Sequence, residues 1–146
     1  MQITHYTDYS LRVLIFLSLQ EDKQRVTISD VAEHFKIPRN HLVKVVHQLG
    51  ILNYIHTTRG KNGGICLGKP ADQIRIGEVI RHMENRLDVV DCNSPSLCPI
   101  KPGCQLKSIL LQAGEAFLSV LDQHTIADLQ NKPDQLKTLL HLDVKI

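Results

Sequence analysis

Nothing in this 146-residue chain is long and apolar enough to span a bilayer. The longest apolar run, Val13 to Leu17, falls far short of the ~20 residues a spanning helix needs. Residues 1–10 are polar and lack the basic stretch that opens a secretory leader. The chain is therefore expected to be soluble and cytoplasmic, with no membrane partner. Signatures of common catalytic sites are missing as well. There is no G-x-S-x-G, no H-E-x-x-H, no G-x-x-x-x-G-K-[ST] and no compelling carboxylate pair, so no enzyme is expected. The eight histidines are scattered, and no internal repeat or low-complexity tail is present. Negative charge is absent from one long span, since no acidic residue lies between Glu33 and Asp72. That span holds Lys36, Arg39, Lys44, Arg59, Lys61 and Lys69 together with four histidines, an asymmetry the net charge of +2 conceals. A basic tract without counter-charge is the footprint of a polyanionic partner. A merely solvated face would give the same tally, so the surrounding pattern has to decide.

That pattern is helical. With hydrophobic residues at 42%, the chain can bury a real core. Residues 7–20 read as a helix, with Thr7 as N-cap, Asp8 in the first turn, and Leu11, Leu14 and Ile15 on a buried stripe. A short helix over 28–35 opens on Thr27-Ile28-Ser29-Asp30, a capping box with Asp in place of Glu or Gln. The link Lys36-Ile37-Pro38 follows. A third helix over 39–49 then turns Leu42, Val45, Val46 and Leu49 inward, with Pro38 at its first position. Two short helices joined so tightly form a helix-turn-helix. Next, Asn62-Gly63 sits between two short strand-like runs and signals a β-hairpin, here a basic wing.

Another helix is expected over 76–85. A long one over 105–123 carries a seam of Leu106, Ile109, Leu110, Ala113, Phe117, Val120 and Leu121. The seam suits packing on a second copy of the chain or on the N-terminal domain. Pro133 opens a last short helix. The expected fold is mainly α with a small β-hairpin wing: a winged helix-turn-helix plus a long dimerisation helix. The expected divisions are residues 1–86 for DNA binding, 87–104 for the cysteine loop, and 105–146 for dimerisation helix and tail. In such a fold the second helix of the pair enters the major groove by its N-terminal residues. These are Arg39, Asn40 and His41, with Lys44 one turn on. Arginine suits guanine and asparagine suits adenine. At the wing tip, Arg59, Lys61 and Asn62 are candidate minor-groove or phosphate contacts. Arg12, Thr27 and Ser29 complete the candidate DNA-contacting set.

Cys92, Cys98 and Cys104 lie within CNSPSLCPIKPGC, at a C-x5-C-x5-C spacing. Pro95, Pro99, Pro102 and Gly103 exclude a regular helix or central strand there. The thiols therefore share a constrained loop from which they can converge, as an iron–sulfur cluster requires. Zinc uses the same thiolates, but its usual CxxC pairs are absent. A disulfide framework fits poorly with a chain able to form an ordinary core in a reducing compartment. Cys66, in a separate segment, reads as a small buried residue.

Taken together, these strings resemble the iron–sulfur winged-helix repressors, and within them the nitric-oxide-sensitive branch. MQITHYTDYSLRVLIFL is similar to their opening helix and PRNHLVKVVHQL to their recognition helix. RGKNGGICLGKP and IRIGEVI resemble the wing and following helix, and TIADL the tail. The resemblance runs over nearly the whole chain. It implies a homodimer on double-stranded operator DNA bearing an inverted repeat, and a cluster held by Cys92, Cys98 and Cys104, 4Fe–4S in preference to 2Fe–2S. It further implies nitric oxide as the signal, whose reaction with the cluster releases the operator. Lys107 stands where the iron–sulfur-assembly regulators of this family carry a ligand histidine. The resemblance therefore points to Asp8, donated by the partner subunit, as fourth ligand, against a plain helix-start role. Pro38 departs from the small hydroxyl residue often found there. Two other readings keep parts of this scheme: a regulator that answers iron, cluster status or redox, and an electron-transfer or cluster-carrier protein.

Overall fold

The computed structural model describes residues 2–93 and 98–142. Pro95 of the cysteine loop lies outside the described residues. Helix α1 (His5–Ser18) starts and ends two residues earlier than its sequence suggests. Thr4 is the N-cap, its side chain accepting from the Thr7 backbone N–H at 3.3 Å, while Thr7 itself is fully buried in the first turn. Burial decides between two threonines that share a face. Thr7, Ser10, Val13, Leu14, Phe16 and Leu17 are all buried, so α1 has protein around most of its circumference.

Helix α2 (Ile28–Phe35) forms its capping box as expected. Asp30 N–H donates to Thr27 Oγ1 at 3.1 Å, and Thr27 N–H donates to Asp30 Oδ2 at 2.8 Å. Lys36 ends the helix in a left-handed conformation, φ 54°, and Ile37 then drops into the core. Pro38 is the N-cap of α3 (Arg39–Ile51), one position before the first helical place expected for it. Leu42, Val45, Val46 and Leu49 turn inward as their spacing requires.

Strands β1 (Ile55–Thr58) and β2 (Gly64–Leu67) pair antiparallel, His56 opposite Cys66 and Thr58 opposite Gly64. Val26 bridges Ile65 near the turn end of the hairpin. The turn differs from the two-residue form that Asn62-Gly63 suggests. Residues 59–63 make the loop, and Gly60 (φ 105°) and Gly64 (φ 148°) take the left-handed conformations, which Asn62 does not. Gly63 is needed for space instead, because a Cβ there would lie 2.2 Å from the Thr58 carbonyl oxygen.

Helix α4 (Ile76–Met83) packs against α1 on one side and α5 (Gln105–Asp122) on the other. A short joint ties the end of α5 back to the start of α4. Ile76 N–H donates to His124 O and Ile126 N–H donates to Ile74 O, both at 2.9 Å. Arg81 holds the Asp122 carboxylate at 2.5 and 2.7 Å, and Arg75 donates to the Asp122 carbonyl at 2.7 Å. The short helix α6 (Pro133–Leu139) follows. The core centres on Leu14, Leu42, Leu49, Tyr54, Ile65 and Val79, and no helix among the described residues is long and apolar enough to cross a membrane.

Candidate functional site

The exposed side of α3 carries Arg39, Asn40, His41 and Lys44. Its N-terminal residues face outward because the apolar positions 42, 45, 46 and 49 fix the helix's rotation. Arg39 Nε donates to Ser29 Oγ at 3.1 Å, so these two candidate contacts form a pair bridging α2 and α3. Thr27 differs: its hydroxyl accepts from Asp30 N–H inside the capping box. His41 stacks on Tyr9 of α1 (centroids 6.2 Å apart), and Tyr9 stacks on His5 (5.8 Å). Tyr6 donates its hydroxyl to the Lys44 carbonyl at 3.3 Å, and burial pushes its phenol up, keeping it a donor. Helix α1 is therefore in direct contact with the solvent-facing helix. Arg59, Lys61 and Asn62 are exposed on the wing loop.

Sequence reasoning passed over Val43, His47 and Ile51 of α3, which share the helix's outer side, and His56 and Thr57 of β1. All are exposed. Together with Arg59 they line an open groove between α3 and the hairpin. The signal was present in the spacing 40, 43–44, 47 and 51, the solvent-facing complement of the buried stripe.

The cysteine loop lies at the other end of α4. Cys92 and Cys104 are half-buried, Cys98 is exposed, and all three are free. Cys104 is the N-cap of α5. Asp91 ties the stem, accepting from Arg86 Nη1 at 3.1 Å and from Asn93 N–H at 2.9 Å. Cys92 opens into a cleft of about 430 Å³ shared with Arg81, Lys107 and Glu115. Among the described residues, no three Cys, His, Asp or Glu side chains are gathered to hold a metal ion. The donor set itself fits a cluster: three free thiols within 13 residues, spared from disulfides, with Cys92 at the edge of a cleft.

Asp8, half-buried, forms an ion pair with Arg12 at 2.8 Å, and the Arg12 guanidinium lies 5.9 Å from the centre of the Phe35 ring in α2. Just before α1, Thr4 N–H and Oγ1 both donate to Glu84 Oε1, at 2.6 and 3.0 Å. The start of α1 is thus strapped to the segment leading into the cysteine loop. Cys66 is half-buried on β2, short of the full burial its sequence context suggested.

The Rrf2 family, described as an iron-dependent transcriptional regulator, matches residues 3–132. The HTH-type transcriptional regulator NsrR of Bacillus licheniformis is 47% identical over 142 residues, covering 96% of this chain and 99% of that protein. The HTH-type transcriptional regulator NsrR of Shouchella clausii is 44% identical, covering 96% and 95%. Among solved structures, the global cysteine regulator CymR of B. subtilis superposes with a TM-score of 0.70 at 24% identity, covering 88% of this chain and 95% of that one. IscR of T. potens gives 0.73 at 18% identity, covering 93% and 94%. At these identities the two structural likenesses are likenesses of fold, and they match the winged helix-turn-helix described above.

Proposed function

This chain belongs to the Rrf2 family of iron-dependent transcriptional regulators and is a regulator, not an enzyme; from that premise we propose that it is a homodimeric repressor that reads an inverted repeat and releases it in response to nitric oxide. The observation that carries the reading is the exposed basic surface of α3 and the wing, Arg39, Asn40, His41, Lys44, Arg59, Lys61 and Asn62, in a span with no acidic residue between Glu33 and Asp72. Arg39, Asn40 and His41 stand at the N-terminal end of α3, from which base edges are read. Ser29 flanks this surface and orients Arg39, and Arg12 and Thr27 complete the proposed DNA-contacting set.

The dimer is supported by α5. Leu118 turns into the chain's own core, whereas Leu106, Ile109, Phe117 and Val120 of the seam are exposed. An apolar stripe of this length on one helix face calls for a matching face, and a second copy supplies it by symmetry. Two copies would set two recognition helices in successive major grooves.

Cys92, Cys98 and Cys104 would hold the iron–sulfur cluster, 4Fe–4S in preference to 2Fe–2S, with Asp8 of the partner subunit as fourth ligand. When bound, such a cluster supplies irons with affinity for nitric oxide. The resemblance of the wing and triple-cysteine loop to the nitric-oxide-sensitive branch supports that signal. The chain's own part is mechanical. Helix α1 carries Asp8, is strapped to Glu84 at one end, and touches α3 through Tyr6 and Tyr9. A displacement of α1 therefore reaches His41 and the Lys44 turn without an intermediary, and a small change in half-site spacing is enough to lose specific binding. Iron or cluster status as the signal is a second reading, favoured by the family's description as iron-dependent.

The test is an anaerobic ultraviolet–visible titration with nitric oxide, with operator gel shifts on the same samples. A visible absorption that bleaches as binding falls is the expected result, absent from Cys92→Ser. A colourless protein, or one that binds regardless of nitric oxide, refutes this signal; weakened repression in iron-starved cells without nitric oxide selects the second reading. An unchanged spectrum and response in Asp8→Ala would remove Asp8 from the ligand set.

A further inference from the structure

In B-form DNA one sugar–phosphate strand separates each major groove from the adjacent minor groove. A helix in the one and a hairpin in the other must straddle that strand, so whatever lies between helix and hairpin receives it. In this protein that place is an open groove of about 550 Å³ walled by α3 and the hairpin. Its α3 wall offers Val43, His47 and Ile51, and its hairpin wall offers His56, Thr57 and Arg59. No acidic side chain among the described residues lines it.

The lining matches the alternation of a nucleic-acid strand. Val43 and Ile51 are 39% and 60% exposed, apolar groups on an outer face that is otherwise polar, and the carbon skeleton of a deoxyribose is their natural counterpart. His47, His56, Arg59 and the Thr57 hydroxyl are donors suited to phosphate oxygens. We propose, resting on the DNA-binding reading above, that this groove seats one sugar–phosphate strand of the operator, with His47 and His56 as phosphate contacts. Arg59 on the hairpin wall, Val43 and Ile51 on the α3 wall, and Ile28 from α2 share the groove with the two imidazoles, while on the far side of the hairpin His56 also lines a cleft with Glu21, Asp22, Lys23, Arg25 and Lys69.

The experiment uses the anaerobic, cluster-containing full-length protein and a duplex whose inverted repeat the wild type has selected from a random pool. Affinity is measured against salt at one fixed pH for wild type, His47→Ala, His56→Ala and the double variant. A charged phosphate contact contributes about 0.9 to the slope of log affinity against log salt. Each single variant should bind more weakly and lose up to about 0.9 of that slope for every contact removed, and the double variant should lose both shares. A double variant with the affinity and slope of the wild type overturns the proposal while leaving DNA binding intact. A wild type that selects no sequence and binds no duplex overturns the regulator reading, and the groove's role with it.

Discussion

Gly77→Ala tests whether the joint between α4 and α5 is as tight as its geometry indicates. Gly77 sits in the first turn of α4, and a Cβ there would lie 2.1 Å from Asp122 Oδ1, 2.9 Å from its Cγ and 3.0 Å from its backbone N. On helix propensity alone the substitution should stabilise by about 1 kcal/mol. Overpacking in a closed space costs about 1–3 kcal/mol. The carboxylate cannot swing away freely, because Arg81 grips both its oxygens. The net expectation is a loss of roughly 0–2 kcal/mol, the difference of those two effects. The sign should reverse once the obstacle is removed. In an Asp122→Ala background, Gly77→Ala should be neutral or stabilising by up to about 1 kcal/mol. The assay is a urea melt at one fixed protein concentration, so that any self-association weighs equally on all variants. Equal effects of Gly77→Ala in both backgrounds would show that the glycine does not serve Asp122, and that the joint is looser than its distances suggest.

The remaining predictions concern the other elements. Ile109→Glu, which puts a charge on the exposed seam of α5, should yield monomers by analytical ultracentrifugation; a persistent dimer would place the subunit contact elsewhere. Thr27→Ala removes half of the capping box and should cost about 1 kcal/mol in melts; a loss of operator affinity with unchanged stability would instead mark Thr27 as a DNA contact. Tyr54→Phe removes the 2.7 Å hydrogen bond between the buried phenol and His82 Nδ1 and should cost about 1 kcal/mol at neutral pH. Burial and the nearby Glu78 push the Tyr54 phenol well above its ordinary value of 10.0. Above pH 10 the unfolded chain releases that proton and the folded chain keeps it, so stability falls as pH rises. That part of the alkaline decline should be missing in Tyr54→Phe, and an identical decline in both proteins would refute the assignment.

What could be read from sequence was local chemistry. The bounds of α2 follow from Thr27 and Asp30, which cap the helix with atoms three residues apart. The hairpin follows from Asn62-Gly63, but its shape does not, because Gly60, Gly63 and Gly64 share the conformational and steric demands of a longer loop. Thr4 and Thr7 are equivalent caps until α1 is packed, when Thr7 disappears into the core. The apolar seam of α5 was legible, whereas the turn of Leu118 toward α4 depends on a partner helix that periodicity alone cannot locate. Cysteine spacing marked a donor set but not an assembled site. The α3–hairpin groove escaped because His47 and His56 belong to no motif and meet only when the helix and hairpin are docked.

Helix α1 carries a consequence for genetics. Thr7, Ser10, Val13 and Leu14 are fully buried, and the helix packs on α3 and α4 while bearing Asp8 on its remaining side. Alleles in α1 will therefore not divide cleanly into loss of signal and loss of operator. A selection for cells that have escaped repression should repeatedly return small-to-large changes at Thr7 and Ser10, positions that touch neither DNA nor cysteine. Their second-site suppressors should fall among the apolar residues of α3 and α4 that pack on α1, with the cysteine loop untouched.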